Sequence, residues 1–300
     1  MKRIRDLGIW TIVVLDVHRE WCAEFVDDTI FCEDSFSPLL DSNHPETDSR
    51  IQSILSYTKE KNITFDGVWT FADKSVVLCA QIARFLGTPW IGPDILAQLK
   101  NKQSLREWLF THQNTLDEGC SHVASLPCVN YDSVAAEHFP LILKGVESVW
   151  KSLIQVVRTQ EELDNNVQKY GLSSVTLEPY FEGIDIDLNL VVEHGKIVWS
   201  WFAENFIPQQ PGFLENGSQT CVCIDEEEKK EVIRYTQNIL DLARDIQTAC
   251  LHVEFRVRHD SSWFSFTLIE INFRMGWGEN FVFPLWEDNY DLILANMELA

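Results

Sequence analysis

Apolar positions along the chain fall into short runs separated by amphipathic stretches. TIVVLD (11–16) is β-branched, short and closed by Asp, the pattern of a buried strand. A second such run, GVWTF (67–71), follows a helical stretch over 50–61. SVVLCAQIARFLG (75–87) has helical spacing and ends on Gly87, a natural left-handed cap. Strands alternating with helices predict a parallel sheet covered by helices. The chain opens on what reads as the end of a helix, so the first strand–helix unit of such a domain, with its Gly-rich turn, is expected to be missing.

From Leu99 onward the pattern changes. NKQSLREWL (101–109) is helical, and FPLILKGV (139–146) and SLIQVV (152–157) are strands. TQEELDNNVQKYG (159–171) is a helix with Thr159 and Glu162 at capping-box spacing. VTLEPYFEG (175–183) leads into a hairpin over 184–204 that turns at His194–Gly195. A loop rich in Gly, Pro and Asn (207–219) precedes a charged helix over 225–247. The last strong strands are 251–257 and 266–274.

Alternation within these strands carries the chemistry, because side chains at i and i+2 share one face. Leu251, Val253, Phe255 and Val257 oppose His252, Glu254 and Arg256. Ile184, Ile186, Leu188 and Leu190 oppose Asp185, Asp187 and Asn189. Ile269, Ile271 and Phe273 oppose Leu268, Glu270, Asn272 and Arg274. The bland explanation is an antiparallel sheet with one side in water. It leaves the scarcity of Lys and Thr on those faces unaccounted for. Converging Glu and Asn oxygens are hard ligands suited to Mg²⁺, and a neighbouring Arg suits a phosphate oxygen. Lys144, inside an apolar strand, must snorkel or meet an anion, and Lys102 stands at the start of its helix.

Composition narrows the partners. The 300 residues hold 24 Lys and Arg against 46 Asp and Glu, a net charge of −22. Such a field disfavours nucleic acid and anionic membranes, so a bound anion needs a local cluster. No apolar run approaches the ~20 residues of a membrane span, and Ile9–Leu15 is too short for a signal segment. The eight cysteines are scattered without a CxxC pair, which predicts reduced thiols and a cytoplasmic setting.

Taken in order, these segments resemble the ATP-grasp superfamily, and within it the carboxylate–amine ligases that join amino acids, the L-amino-acid ligase and carnosine-synthase-like branch. The resemblance covers nearly the whole chain. It implies an α/β fold with separate lobes: a Rossmann-like pre-ATP-grasp domain over 1–98 and an ATP-grasp domain over 99–300. The latter divides into a small nucleotide lobe (99–181) and a metal-binding lobe (182–300), shortened at both ends relative to the family. Lys102 and Lys144 then match the two lysines that contact ATP phosphates. LEPYFEG matches the adenine hinge, with Glu178 accepting from the adenine amino group and the backbone at Pro179 and Tyr180 facing the ring. Asp185 falls at the ribose-binding acid. Glu254, Glu270 and Asn272 match the Mg²⁺ (or Mn²⁺) ligands, and Arg274 the Arg that stabilises the acyl phosphate. The substrates implied are ATP with a small carboxylate and an amine, both amino acids by analogy.

One departure bears on this expectation. The family follows its second Lys with a Gly- and Ser-rich loop, whereas here the stretch is GVESVWKSLIQV, with Val149–Trp150 where small residues are expected and Lys151 nearby. The alternative reading is therefore a nucleotide-binding pseudoenzyme or a fragment of a larger ATP-grasp protein. Carboxylation of a biotin-type substrate is a further rival without a biotin-attachment motif to support it. Trp277 is a candidate for the acceptor pocket, with core packing as the competing role.

Overall fold

The computed structural model describes residues 10–15, 26–33, 44–70, 72–146, 153–206, 217–220, 222–260 and 263–276. The expected acceptor-pocket residue Trp277 and the stretch 147–152 lie outside them.

At the N-terminal end, β1 (Ile12–Leu15) and β2 (Asp28–Phe31) pair in parallel. Helices α1 (Ser49–Lys61) and α2 (Val76–Leu86) contribute Ile51, Ile54, Leu78 and Ile82 to the core they share with Ile30. Gly87 caps α2 in the left-handed conformation at φ 72°, as its position predicts. Two readings are corrected here. Strand β2 was not foreseen, and among the described residues no strand is assigned over 67–70. Val68 instead packs against the α1–α2 core. Burial under helices leaves the same apolar signature as a paired strand, and the sequence does not separate the two.

Helices α3 (Pro93–Lys100), α4 (Lys102–Thr111) and α5 (Gln113–Leu116) follow. Asn101 ends the turn between α3 and α4 and caps α4, its Oδ1 accepting from Ser104 N at 3.0 Å. Next come β3 (Leu141–Gly145), β4 (Ile154–Val157), α6 (Gln160–Tyr170) and β5 (Val175–Pro179). The strands form an antiparallel sheet in the order β4-β3-β5, and Leu163 of α6 packs on Leu141, Leu143 and Leu177. Thr159 caps α6 through Glu162 N, as the capping spacing predicts.

The largest layer is a five-stranded antiparallel sheet in the order β10-β9-β6-β7-β8. It comprises β6 (Ile184–Glu193), β7 (Lys196–Asn205), β8 (Ser218–Gln219), β9 (Ala249–Asp260) and β10 (Trp263–Asn272), with α7 (Glu226–Leu242) inserted before β9. The β6–β7 turn has His194 and Gly195 at φ 51° and 73°, a mirror-image turn of the kind that suits hairpin twist. Helix α7 ends at Leu242, short of the expected 247. Beyond it Ile246 enters the core, and Asp245 O accepts from Gly92 N at 3.0 Å. One face of the sheet packs Ile186, Leu188, Val253 and Phe255 against Leu96, Leu105, Trp108, Val232 and Ile239 from α3, α4 and α7.

The expected faces of β6 and β9 hold, but that of β10 needs correction. Leu268 lies in the core with Phe264 and Phe266, not beside Glu270. The β9–β10 register slips between Leu268 and Glu270, a β-bulge that inserts one residue. After it, Glu270 stands opposite Glu254 while Ile271 returns to the core. Among the described residues no helix is long and apolar enough to cross a membrane, and six cysteines are free thiols.

Gly183 sits where the chain enters β6. A Cβ there would lie 2.2 Å from Val257 O and 3.0 Å from Arg256 Cγ. Gly183→Ala must push β6 from β9 and is expected to cost about 1–3 kcal/mol, read as a lowered urea midpoint at unchanged slope.

Candidate nucleotide and metal site

The polar face of the five-stranded sheet is buried, which removes the water-facing explanation of its composition. Asp187, Asn189, His252, Arg256 and Asn272 are all under a tenth exposed. Buried polar groups need partners, and these residues find them mostly in one another.

Strand register builds the metal-ligand candidates. Glu270 on β10 opposes Glu254 on β9, and Asn272 opposes His252. Asn272 Nδ2 donates to Glu270 Oε1 at 3.0 Å and to Glu254 Oε1 at 3.3 Å. Lys102, at the first turn of α4, reaches Glu270 Oε2 at 3.0 Å. Burial alone would raise the Glu270 pKa, but Lys102 and the Asn272 amide outweigh it and hold the carboxyl well below its ordinary range. Burial likewise opposes the Lys102 ammonium, yet Glu270, Glu254 and Asp73 keep its pKa above the usual lysine value. Two carboxylates joined by an amide side chain are a hard-donor set that fits a divalent cation with substrate phosphates, provided the Asn272 amide turns its oxygen rather than Nδ2 toward the ion.

The second cluster joins the two sheets. Lys144 on β3 donates to Glu178 Oε2 on β5 at 2.7 Å, and Arg106 of α4 reaches the same oxygen at 3.1 Å. Glu178 is fully buried, which by itself would raise its pKa, but Arg106 and Lys144 bring it down to about 2. Lys144 is lowered by its burial and by the positive charges of Arg106 and Arg256. The directions agree physically, because one carboxylate here is shared by two cations. Glu178 Oε1 is buried without a hydrogen-bond partner among the described residues. That is the acceptor an adenine amino group requires. The Tyr180 N–H, by contrast, is donated to Pro140 O at 3.0 Å. A ligand would therefore meet the side chain or the carbonyl of Tyr180 rather than its N–H.

Arg256 grips Asp185 through both carboxylate oxygens, with Nη2 to Oδ2 at 2.9 Å. It also donates to Phe181 O at 3.4 Å and lies 5.9 Å from the Tyr180 ring. The expected ribose acid is thus locked to the hinge. Arg274 Nη1 donates to Met275 O at 2.9 Å, and its Nε lies 3.7 Å from Asp73 Oδ1.

Two residues were missed by sequence reasoning. Arg106 lies one helical turn after Lys102, and that i, i+4 spacing was the available signal. It donates to Leu268 O at 2.8 Å and Ile269 O at 3.0 Å, the carbonyls at the β10 bulge, as well as meeting Glu178. Asp73 lies in the turn before α2, and the fold brings it to Lys100, at 2.9 Å, and to Arg274.

Comparison with known proteins bears on the fold. No family model matches the chain. An L-amino acid ligase from Bacillus licheniformis superposes with a TM-score of 0.69 at 17% identity, over 93% of this chain and 65% of that one. Biotin carboxylase from Campylobacter jejuni superposes with a TM-score of 0.68 at 14% identity, over 99% of this chain and 67% of that one. The fold is the ATP-grasp fold. Among curated relatives, the ATP-grasp enzyme fsqD of Aspergillus fumigatus is 24% identical over 274 residues, 87% of this chain. Carnosine synthase 1 of Mus musculus is 23% identical over 283 residues, 86% of this chain. The chain spans 46% and 33% of the lengths of those two relatives.

Two outcomes test the buried cluster. Arg106→Met leaves Glu178 with one cation and frees the bulge carbonyls, so a loss of about 3–5 kcal/mol is expected in chemical denaturation. The depressed Glu178 pKa contributes stability that is full above its ordinary value of 4.5 and lost as pH falls toward about 2. In Glu178→Gln the protein should be less stable at neutral pH, with the gap to wild type closing across that window.

Proposed function

We propose that the chain is an ATP-dependent carboxylate–amine ligase, binding Mg-ATP (or Mn-ATP) between the three-stranded and five-stranded sheets. The observation that carries this reading is the convergence of Lys102, Glu254, Glu270 and Asn272 beside the Lys144–Glu178–Arg106 cluster. In this assignment residues 1–98 are the pre-ATP-grasp domain, 99–181 the small nucleotide lobe and 182–300 the metal lobe.

Glu178 Oε1 accepts from the adenine amino group, the Tyr180 ring and carbonyl border the base, and Asp185 accepts from a ribose hydroxyl. Lys102 and Lys144 draw charge from the phosphates. Glu254, Glu270 and Asn272 would hold Mg²⁺, which supplies charge neutralisation for the transferring phosphoryl group. Phosphoryl transfer needs positioning and charge more than covalent help. A substrate carboxylate oxygen forms a bond to the γ-phosphorus as the bond to ADP breaks, giving an acyl phosphate. An amine then attacks the acyl carbon, phosphate leaves, and the ammonium proton is lost to solvent. Arg274 stabilises the oxyanion of both steps. The relatives named for carnosine and for L-amino acids support amino acids as acid and amine.

One observation favours a second reading, nucleotide binding without ligase turnover. The N–H groups of Gly145 and Val146, where the family's phosphate loop would begin, are engaged by Leu153 O at 2.9 Å and Ser174 O at 3.0 Å. They are not open to phosphate.

Calorimetric titration of ATP with and without Mg²⁺ tests the site. Glu270→Gln is expected to weaken Mg-ATP binding about 10–100-fold, and absence of binding by wild type would overturn both readings. ADP release that requires both an acid and an amine supports the ligase. Mg-ATP binding with no such release leaves the second reading.

A further inference from the structure

Asp73 is not a ligand in the nucleotide site described above, yet it stands beside one of that site's residues. It comes from the N-terminal part of the chain, at the start of the short turn Asp73–Ser75 that leads into α2. The turn is closed by Ser75 N donating to Ala72 O at 2.9 Å, which holds the Asp73 backbone. Its two carboxylate oxygens face different cations. Oδ2 meets Lys100 Nζ, at the end of α3, at 2.9 Å. Oδ1 is buried, lies 3.7 Å from Arg274 Nε and accepts no hydrogen bond among the described residues.

Arg274 shows the complementary condition. Its Nε is buried and donates to no acceptor among the described residues, while Nη1 donates to the adjacent Met275 O at 2.9 Å. A buried donor and a buried acceptor of opposite charge, each unsatisfied, thus face each other across 3.7 Å. Buried polar groups in that state are costly, and a small approach of the two satisfies both. Position explains why an acid is needed there. Arg274 follows Glu270 and Asn272 just beyond the end of β10, close in sequence to the ladder where Glu270 opposes Glu254. A loose guanidinium would be drawn onto those carboxylates. Among the described residues its ion pair is instead with Asp73, and Lys102 takes Glu270. The two lysines on either side of Asn101 therefore sort the charges, Lys100 to Asp73 and Lys102 to Glu270.

We propose that Asp73 is a positioning residue for Arg274: it takes the Nε edge of the guanidinium, keeps the group off the acid row and leaves Nη2 for an anionic oxygen of the reacting carboxyl group. The catalytic part of this inference rests on the ligase reading, whereas the pairing itself does not. The N-terminal part of the chain then supplies more than a scaffold, because the arginine that follows the metal strand depends on its acid.

The test reads Arg274 directly, by NMR of the full chain carrying nitrogen-15-labelled arginine. The Arg274 Nε–H resonance is identified as the one lost in Arg274→Lys. Asp73→Asn should displace that resonance or broaden it through exchange with water. Lys100→Met removes the other partner of Asp73 and should leave it in place, which a merely structural tie would not predict. Thermal melting confirms that each variant folds, and Asp73→Ser takes the place of Asp73→Asn if that variant does not. An unchanged Arg274 resonance in the folded Asp73 variant, or an equal displacement by Lys100→Met, overturns the proposal. In ADP release, Asp73→Asn should lower kcat on the order of 100-fold with the KM for ATP unchanged, and should lower it no further in an Arg274→Lys background. An unchanged kcat also overturns the proposal. Absence of acid- and amine-dependent ADP release by the wild type overturns the ligase reading instead, and the resonance then decides the pairing by itself.

Discussion

A single guanidinium ties the functional parts of this molecule together. Arg106 is 3% exposed and holds three acceptors from two sheets: the carbonyls of Leu268 and Ile269 at the β10 bulge and the carboxylate of Glu178 on β5. Each of these acceptors would be costly if left unpaired. A buried carboxylate without partners is among the most unfavourable groups a fold can carry. Arg suits the role because its planar fork presents several donors at once. Through Arg106 the bulge that aims Glu270 and the strand that carries Glu178 answer to the same helix. Lys102, one turn earlier on that helix, secures the Glu270 side chain.

The bulge itself is what lets β10 place a carboxylate on the polar face. Without an inserted residue, Leu268 and Glu270 would share a face. One of them would then have to sit wrongly, either an aliphatic side chain among charges or a carboxylate in the core. The extra residue lets Phe264, Phe266 and Leu268 stay in the core while Glu270 meets Glu254 across the ladder. The energetic consequence is a closely packed acid row on a buried face. Lys102 and the Asn272 amide are the groups that stabilise it among the described residues.

The hinge is held by a comparable arrangement. Arg256 binds Asp185 with both arms and reaches the Phe181 carbonyl, so the segment between β5 and β6 is fixed by a side chain from β9. Gly183 allows this close approach of backbones. The hinge acid, the hinge carbonyl and the acid row therefore belong to one polar layer, bounded below by the apolar core that α3, α4 and α7 complete.

Much of this was legible in the chain. Period-two alternation marked the faces of β6 and β9, Gly87 and Thr159 marked helix ends, and Glu254, Glu270, Asn272, Lys102 and Lys144 stood out as charged or polar groups in strands or at a helix start. Those signals are local: each depends on a residue and its neighbours within a turn or a strand. Three features were not legible. The bulge at Leu268–Glu270 depends on the partner strand's register, the pairing of β1 with β2 depends on which run finds a ladder, and Arg106 acquires its partners 72 and 162 residues away only in the fold. Sequence determined which residues could do chemistry and which face they occupy, because alternation is a property of the backbone. Tertiary structure decided which of them share a hydrogen-bond donor, a counter-charge or a carbonyl, because that follows from strand register and from burial that leaves each charge no choice but its neighbour.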